Sequence, residues 1–66
     1  MRITINGKPQ DAGQARTVDD LVAALGYKGK RIAVERNGDI VPKSQHALVE
    51  LAENDAIEIV VAVGGG

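Results

Sequence analysis

The chain has 66 residues, enough for one small domain, and its eight Lys and Arg residues nearly balance nine Asp and Glu residues, for a formal net charge of −1. This balance and the presence of one aromatic residue, Tyr27, argue against a nucleic-acid-binding protein, which needs a basic face and stacking platforms. The absence of cysteine excludes disulfides, thiolate zinc sites and a catalytic thiol, and the lack of a signal peptide or a membrane-length apolar run predicts a cytoplasmic protein.

The N-terminal residues predict a β-hairpin. Residues 2–6 alternate polar and apolar side chains, which is typical of a half-buried strand. Asn6-Gly7 favours a type I′ turn, and residues 8–11 then form the return strand. Pro9 in this second strand cannot donate a ladder hydrogen bond, which favours an edge position.

A helix is predicted after a loop at residues 12–16. Thr17 can cap it by accepting from the N–H of Asp20, and Gly26 is suited to end it. One apolar stripe, spaced i, i+3, i+4 and i+7, is expected to face the core. The stripe consists of Val18, Leu21, Val22 and Leu25.

A second hairpin follows a polar connection at residues 28–30. Residues 31–35 alternate as a third strand, and Asn37-Gly38 repeats the type I′ turn signal. Residues 40–41 make a short fourth strand that Pro42 ends, and residues 43–47 are expected to be irregular or to form one helical turn.

The last predicted strand, residues 56–63, is nearly apolar on both faces and is therefore expected to be central. Pairing it in parallel with the first strand would bury both. The resulting α+β fold is a β-grasp (ubiquitin-like) domain, with a mixed sheet of about five strands and one main helix on one face. We predict this domain at residues 1–63, followed by a flexible glycine tail at residues 64–66.

The tail is the feature most suggestive of function. Gly64, Gly65 and Gly66 follow an apolar strand directly, and three extended residues reach about 10 Å. Because glycine has no side chain to block a narrow channel, Gly64 and Gly65 are suited to threading into another protein's active site. The carboxylate of Gly66 is then the one reactive group that the chain needs to supply, once adenylation by ATP gives it a leaving group.

The other polar candidates are assigned structural or solvated roles. His46 lies in a polar segment without catalytic or metal-binding partners, and we interpret it as a solvated surface histidine. Tyr27 is expected to pack over the end of the helix. A solvated basic loop is formed by Lys28, Lys30 and Arg31. Turn chemistry and a surface charge pair account for Glu35, Arg36 and Asn37.

Taken together, four segments resemble the ThiS family, the ubiquitin-like sulfur carriers of thiamine biosynthesis, and the similarity covers the whole chain. The segments are Ile3-Thr4-Ile5 with Asn6-Gly7-Lys8, Thr17-Val18-Asp19-Asp20-Leu21, Ile32-Ala33-Val34-Glu35-Arg36-Asn37 with Ile40-Val41-Pro42, and Val63-Gly64-Gly65-Gly66. The terminal Gly65-Gly66 pair is shared by all such carriers. The Val34-Glu35-Arg36-Asn37 stretch and the short length favour this family over its relatives.

This resemblance implies a carrier that is not itself an enzyme and holds no catalytic side chain, cofactor or metal ion. A ThiF-type adenylyltransferase would adenylate Gly66 with ATP and magnesium. Sulfur from cysteine, delivered through a desulfurase and a persulfide, would displace AMP and leave a thiocarboxylate. The tail would then donate this sulfur to the thiazole synthase ThiG.

The face of the sheet opposite the helix is expected to dock these two enzymes in turn, because exposed apolar patches mark partner sites. The side chains expected on this face are small or apolar, with few charges near the tail: Thr4, Ala33, Val60 and Ala62. The side chains expected to face the helix are Ile3, Ile5, Ile32, Val34, Ile57 and Ile59.

Three other functions remain open from the sequence. The small subunit of molybdopterin synthase uses the same tail and fold, but generally has a longer chain with more aromatic residues. A ubiquitin-like modifier would form isopeptide bonds to lysines of other proteins. A plain interaction module would carry an inert tail.

Overall fold

The computed structural model describes residues 1–62. The chain forms two hairpins separated by a helix, then a single 3-10 turn and a last strand. The elements are β1 Arg2–Ile5, β2 Lys8–Asp11, α1 Val18–Ala24, β3 Ile32–Arg36, β4 Asp39–Val41, the 3-10 turn Lys43–Gln45 and β5 Ala56–Val61. The predicted last strand extended to residue 63, but β5 ends at Val61. The predicted boundary between domain and tail, at residues 63 and 64, lies outside the described residues.

The strands form one five-stranded sheet in the order β2-β1-β5-β3-β4. As predicted, β5 is central and runs parallel to β1, with Ile5 opposite Ile57. On its other side β5 is antiparallel to β3 over five residue pairs. This arrangement confirms the predicted β-grasp fold, in which the first and last strands of the chain lie side by side.

The core lies between the sheet and α1. Ile57 on β5 and Val18 on α1 are completely buried, and Ile3 and Val34 are almost so. Ile32, at the open end of β3, is only partly buried against this core. The predicted core face of the sheet is therefore confirmed, with Ile32 at its margin.

Local signals at both ends of α1 explain why the helix begins and ends where it does. The Thr17 hydroxyl accepts from the N–H of Asp20, and the Asp20 carboxylate accepts from the N–H of Thr17, which completes a capping box. At the other end Gly26 has a φ of 81°, and the N–H of Tyr27 donates to the carbonyl of Val22. This is a Schellman motif, and it depends on the left-handed glycine.

Both predicted hairpin turns are present, and their asparagines also bind β5. Asn6 and Asn37 have φ values of 51° and 52°, as a type I′ turn requires of its first central residue. The Asn6 side chain accepts from the N–H of Ile59 at 2.8 Å and donates to its carbonyl at 3.2 Å. The Asn37 side chain accepts from the N–H of Ala56 at 2.9 Å. Each turn therefore anchors the central strand through an amide side chain.

Replacing Asn6 by glycine is expected to lower the free energy of unfolding by about 1–3 kcal/mol. Glycine retains the positive φ but removes both side-chain hydrogen bonds to Ile59. Urea unfolding followed by circular dichroism measures the change. The matched control is Asn54→Gly, because Asn54 also has a positive φ, of 70°, and its side chain is exposed. Equal effects of the two substitutions would show that the Asn6 amide contributes nothing specific.

Candidate functional site

The glycine tail predicted to carry the reactive group lies outside the described residues, so the structure describes its point of departure. Ala62 is the last described residue, and its N–H donates to the carbonyl of Arg31 at 2.9 Å. The chain therefore leaves the sheet beside the start of β3. A protein that receives the tail would meet this end of the sheet first.

The predicted docking residues occupy the sheet face opposite α1, but the structure brings only some of them together. Ala33 and Val60 are directly opposite each other on β3 and β5, and the side chain of Val60 is 65% exposed. Ala62 lies two residues beyond Val60 and is exposed. Thr4 is half-buried on β1 beside Ala56, at the far end of β5. The cluster near the tail is therefore formed by Ala33, Val60 and Ala62.

The outer face also carries two carboxylates beyond the cluster near the tail. Glu35 and Glu58 are direct neighbours across β3 and β5, and the exposed Ile40 lies on the other side of Glu35. Because side chains alternate between the two faces of a strand, Glu58 lies on the same face as Val60, and Glu35 lies on the same face as Ala33. The patch near the tail is therefore bordered by two carboxylates that the sequence analysis did not assign to this face.

His46 is buried, which contradicts its interpretation as a solvated surface histidine. Only 6% of the residue is exposed. Its Nε2 donates to the carbonyl of Val41 at 3.2 Å, and its own carbonyl accepts from the N–H of Asp19 at 2.9 Å. Burial is tolerated because the ring satisfies a strand-end carbonyl while the backbone caps the start of α1. His46 thus joins the 3-10 turn to both layers of the fold.

An open groove of about 660 Å³ lies beside β3, between the loop after α1 and the 3-10 turn. We call it the basic groove, because four of the chain's eight Lys and Arg residues line it: Lys28, Lys30, Arg31 and Lys43. The loop of Lys28, Lys30 and Arg31 is exposed, as expected, but these residues lie along a concavity and not on a featureless surface. Tyr27, which was expected to pack over the end of the helix, is partly buried against the core, and the Nζ of Lys30 lies 6.0 Å from its ring centre.

The buried Asp55 is the centre of a polar cluster that includes Arg36 and Asn37, which the sequence analysis assigned to turn chemistry and a surface charge pair. Its carboxylate accepts from Arg36 Nε at 2.8 Å, from Asn37 Nδ2 at 3.0 Å and from the N–H of Ala52 at 2.8 Å. Burial alone would raise the pKa of this carboxyl, but the hydrogen bonds and the Arg36 charge outweigh it and hold the pKa below its ordinary value. Arg36 and Asn37 are therefore structural partners of Asp55, rather than a surface charge pair.

Within residues 1–62, no group of three or more His, Cys, Asp or Glu side chains is placed to hold a metal ion. No helix in the same range is long and apolar enough to cross a membrane. The outer sheet face and the basic groove adjoin each other near the tail, because Ala33, Val60 and Ala62 line the groove as well.

Comparison with known proteins agrees with this fold. Over 66 residues, the chain is 42% identical to a thiazole synthase of Paramagnetospirillum magneticum, matching all of this chain but only 20% of the longer protein. It is 41% identical over 68 residues to the sulfur carrier protein ThiS of Bacillus subtilis, a match that covers 97% of this chain and 98% of that protein. The crystal structure of the thiamine biosynthesis protein ThiS from Geobacter metallireducens superposes with a TM-score of 0.82 at 30% identity and full coverage of both chains.

The family comparison covers nearly the whole sequence and includes the glycine tail. The model of the ThiS family matches residues 3–66. With the full-length match to a carrier and the superposition on a solved ThiS structure, this shows that the chain belongs to the ThiS family.

Proposed function

We propose that this chain is the sulfur carrier of thiamine biosynthesis and that the carboxylate of Gly66 carries the sulfur. One observation supports this most directly: the chain matches a sulfur carrier along 98% of that carrier's length, on a fold whose central strand leads into the three-glycine sequence. A carrier of this kind needs no active-site cavity of its own. It is a co-substrate of other enzymes and not an enzyme.

The chemistry takes place at the acyl carbon of Gly66. Its carboxylate attacks the α-phosphorus of ATP, pyrophosphate leaves, and an acyl adenylate results. The terminal sulfur of a persulfide derived from cysteine then attacks the acyl carbon, AMP leaves, and an acyl disulfide results. A thiol attacks the donor's sulfur in this acyl disulfide, which releases the thiocarboxylate of Gly66 and leaves a disulfide on the donor side. ATP and magnesium belong to a ThiF-type activating enzyme, and the persulfide is supplied by a cysteine desulfurase. These reactions take place in the cytoplasm.

The contribution of the chain itself is to present the carboxylate at a distance. Four residues follow Ala62, and four extended residues span at most about 14 Å. Because Gly64 and Gly65 add no side chains, this reach suits entry into a narrow active site. The domain at residues 1–63 is the part of the chain that the partner enzymes bind.

The thiazole synthase ThiG is proposed as the sulfur acceptor. The thiazole synthase of Paramagnetospirillum magneticum supports this, because one polypeptide holds a segment similar to this chain and a much longer remainder. A carrier and an acceptor that act on each other gain from such a covalent link through a high effective concentration. In the present proposal the same encounter occurs between separate proteins.

Intact-mass spectrometry tests the proposal. The chain is incubated with a ThiF-type enzyme, ATP, magnesium, a cysteine desulfurase, cysteine and a thiol reductant. We expect replacement of one oxygen atom by sulfur, and its loss in a variant without Gly66. Turnover of the loaded chain by thiazole synthase assigns the pathway.

Each alternative function predicts a different result in this experiment. No mass change with an enzyme that loads its own carrier would contradict the proposal and favour an inert tail. Sulfur transfer to the large subunit of molybdopterin synthase, or isopeptide conjugates on other proteins, would reassign the chain to one of those two classes.

The outer sheet face near the tail is the proposed docking surface, formed by Ala33, Val60 and Ala62 with Thr4 at its far end. Val60→Lys is expected to weaken binding to the activating enzyme and to the synthase by about tenfold or more, because it places a charge in an apolar contact. The control is Leu48→Lys, since Leu48 is similarly exposed and lies outside the sheet. Isothermal titration calorimetry measures both affinities. Unchanged binding of the Val60 variant would show that this face is not used.

A further inference from the structure

The basic groove concentrates positive charge in a chain whose net charge is negative. Its rim carries Lys28, Lys30, Arg31 and Lys43, all exposed, above an apolar floor that includes Val22 and Ile32. Of the acidic residues in the described part of the chain, only Asp19 lines the groove, and it is bridged to Lys28 at 3.0 Å. Among residues 1–62, no carboxylate forms a salt bridge with the other three cations of the groove, Lys30, Arg31 and Lys43.

The groove also contains an open sheet edge. β4 pairs with β3 only from Val34 to Arg36, because Pro42 ends β4 before it reaches Ile32. The carbonyl of Arg31 accepts from the N–H of Ala62, which follows β5. The N–H and carbonyl groups of successive residues point to opposite sides of a strand, so those of Ile32 point away from β5. The N–H and carbonyl of Ile32 therefore point towards the groove, where the described residues provide no backbone partner for them. An extended peptide could pair with them there.

Both walls of the groove are held in place. The carbonyl of Lys43 accepts from the N–H of His46, and the buried His46 is tied to Val41 and to Asp19. On the other wall the packing of Tyr27 and two backbone hydrogen bonds, from Tyr27 to Val22 and from Lys30 to Tyr27, hold the loop after α1. The groove is thus largely formed before any partner arrives, which lowers the cost of binding.

We propose that the basic groove binds an extended, acidic segment of the activating enzyme, which adds a short strand at Ile32 and places carboxylates against Arg31 and Lys43. The positive rim complements an acidic segment, and the groove begins where the tail departs, since Ala62 lines it. This inference rests on the proposed function. Where carrier and synthase share one polypeptide, the activating enzyme is the partner that must still recognise the carrier segment from solution.

The test combines affinity with location. Isothermal titration calorimetry with the activating enzyme compares the full chain with Arg31→Glu and Lys43→Glu, each expected to weaken binding on the order of tenfold, less so at high salt. The matched control is Lys8→Glu, an identical charge change on β2, at the opposite edge of the sheet. Amide NMR spectra establish that each variant is folded. In the wild-type complex, we expect slowed hydrogen exchange at the N–H of Ile32.

The outcomes separate this inference from the proposed function. If the groove variants bind like the Lys8 control, or if exchange at Ile32 is unchanged in the complex, the groove is not the recognition site. If they are nevertheless loaded with sulfur at an unchanged KM, the carrier function stands and only the groove proposal fails. If the wild-type chain is neither bound nor loaded, both fail.

Discussion

Asp55→Ala is expected to lower the free energy of unfolding by about 2–3 kcal/mol, because it removes a buried carboxylate that accepts three hydrogen bonds, one of them in a partly buried ion pair. The substitution leaves the N–H of Ala52, the amide of Asn37 and the guanidinium of Arg36 without their shared acceptor. A domain of this size has a total stability of about 3–10 kcal/mol. We therefore expect the substitution to remove a large share of this stability, measured as a lower midpoint of urea denaturation.

Two comparisons locate the source of this effect. Asp55→Asn retains an oxygen acceptor but not the charge, so its loss should be smaller than that of the alanine variant. Asp39→Ala removes an exposed carboxylate on β4 and should change stability by less than about 0.5 kcal/mol. If Asp39→Ala destabilised the chain as much as Asp55→Ala, the buried cluster would not be the cause.

The same cluster predicts acid sensitivity. The folded-state pKa of Asp55 lies below its ordinary value of about 3.8, so the carboxylate contributes stability above that value and loses it as the pH falls through the folded-state pKa. The pKa values of Asp11 and Asp20 are lowered too, mainly by backbone hydrogen bonds from Gly13 and from Arg16, so these groups add to the trend. Urea midpoints between pH 6 and pH 2 should fall for the wild type, and fall less for Asp55→Asn. If the urea midpoints of the wild type and of Asp55→Asn fell equally with pH, Asp55 would have no role in the acid sensitivity.

Ile57→Ala is expected to cost about 2–5 kcal/mol. Ile57 is completely buried on the central strand, between β1 and β3, so truncation leaves a cavity that neighbouring strands cannot fill by moving independently. Thermal unfolding followed by circular dichroism measures the loss. Much of this small domain's stability depends on this one strand.

Val60→Ala is the matched control, because Val60 lies on the same strand and faces away from α1. With 65% of the residue exposed, its truncation should cost less than about 1 kcal/mol. A cost comparable to that of Ile57→Ala would mean that the outer face is buried in solution, for example by a second copy of the chain.

The parts of the fold that the sequence predicted well are those set by neighbouring residues. The Thr17 cap, the left-handed Gly26 and the two Asn-Gly turns depend on interactions between residues close together in the sequence. Each was found where it was predicted. β5 was also found at the centre of the sheet, as predicted, but it is buried only on the face towards α1, because Ala56, Glu58 and Val60 on its other face are exposed.

The sequence interpretation failed where distant segments meet. Asp55 is 19 residues from Arg36 along the chain, and neither residue alone indicates a buried pair. His46 was misjudged for the same reason, since its burial depends on α1 and β4 packing around it. The basic groove likewise combines the loop after α1 with the 3-10 turn. An acidic residue directly before a central apolar strand was the available signal for the Asp55 cluster.

The central position of β5 has a consequence for synthesis on the ribosome. The two hairpins share no strand contact in the sheet order, since β1 and β3 both pair with β5. Isolated two-stranded hairpins are marginal in water, so the emerging chain gains little stability until residues 56–61 have been made. We infer that residues 1–55 stay largely unfolded until residues 56–61 have been made, and that the two hairpins then join in one cooperative step.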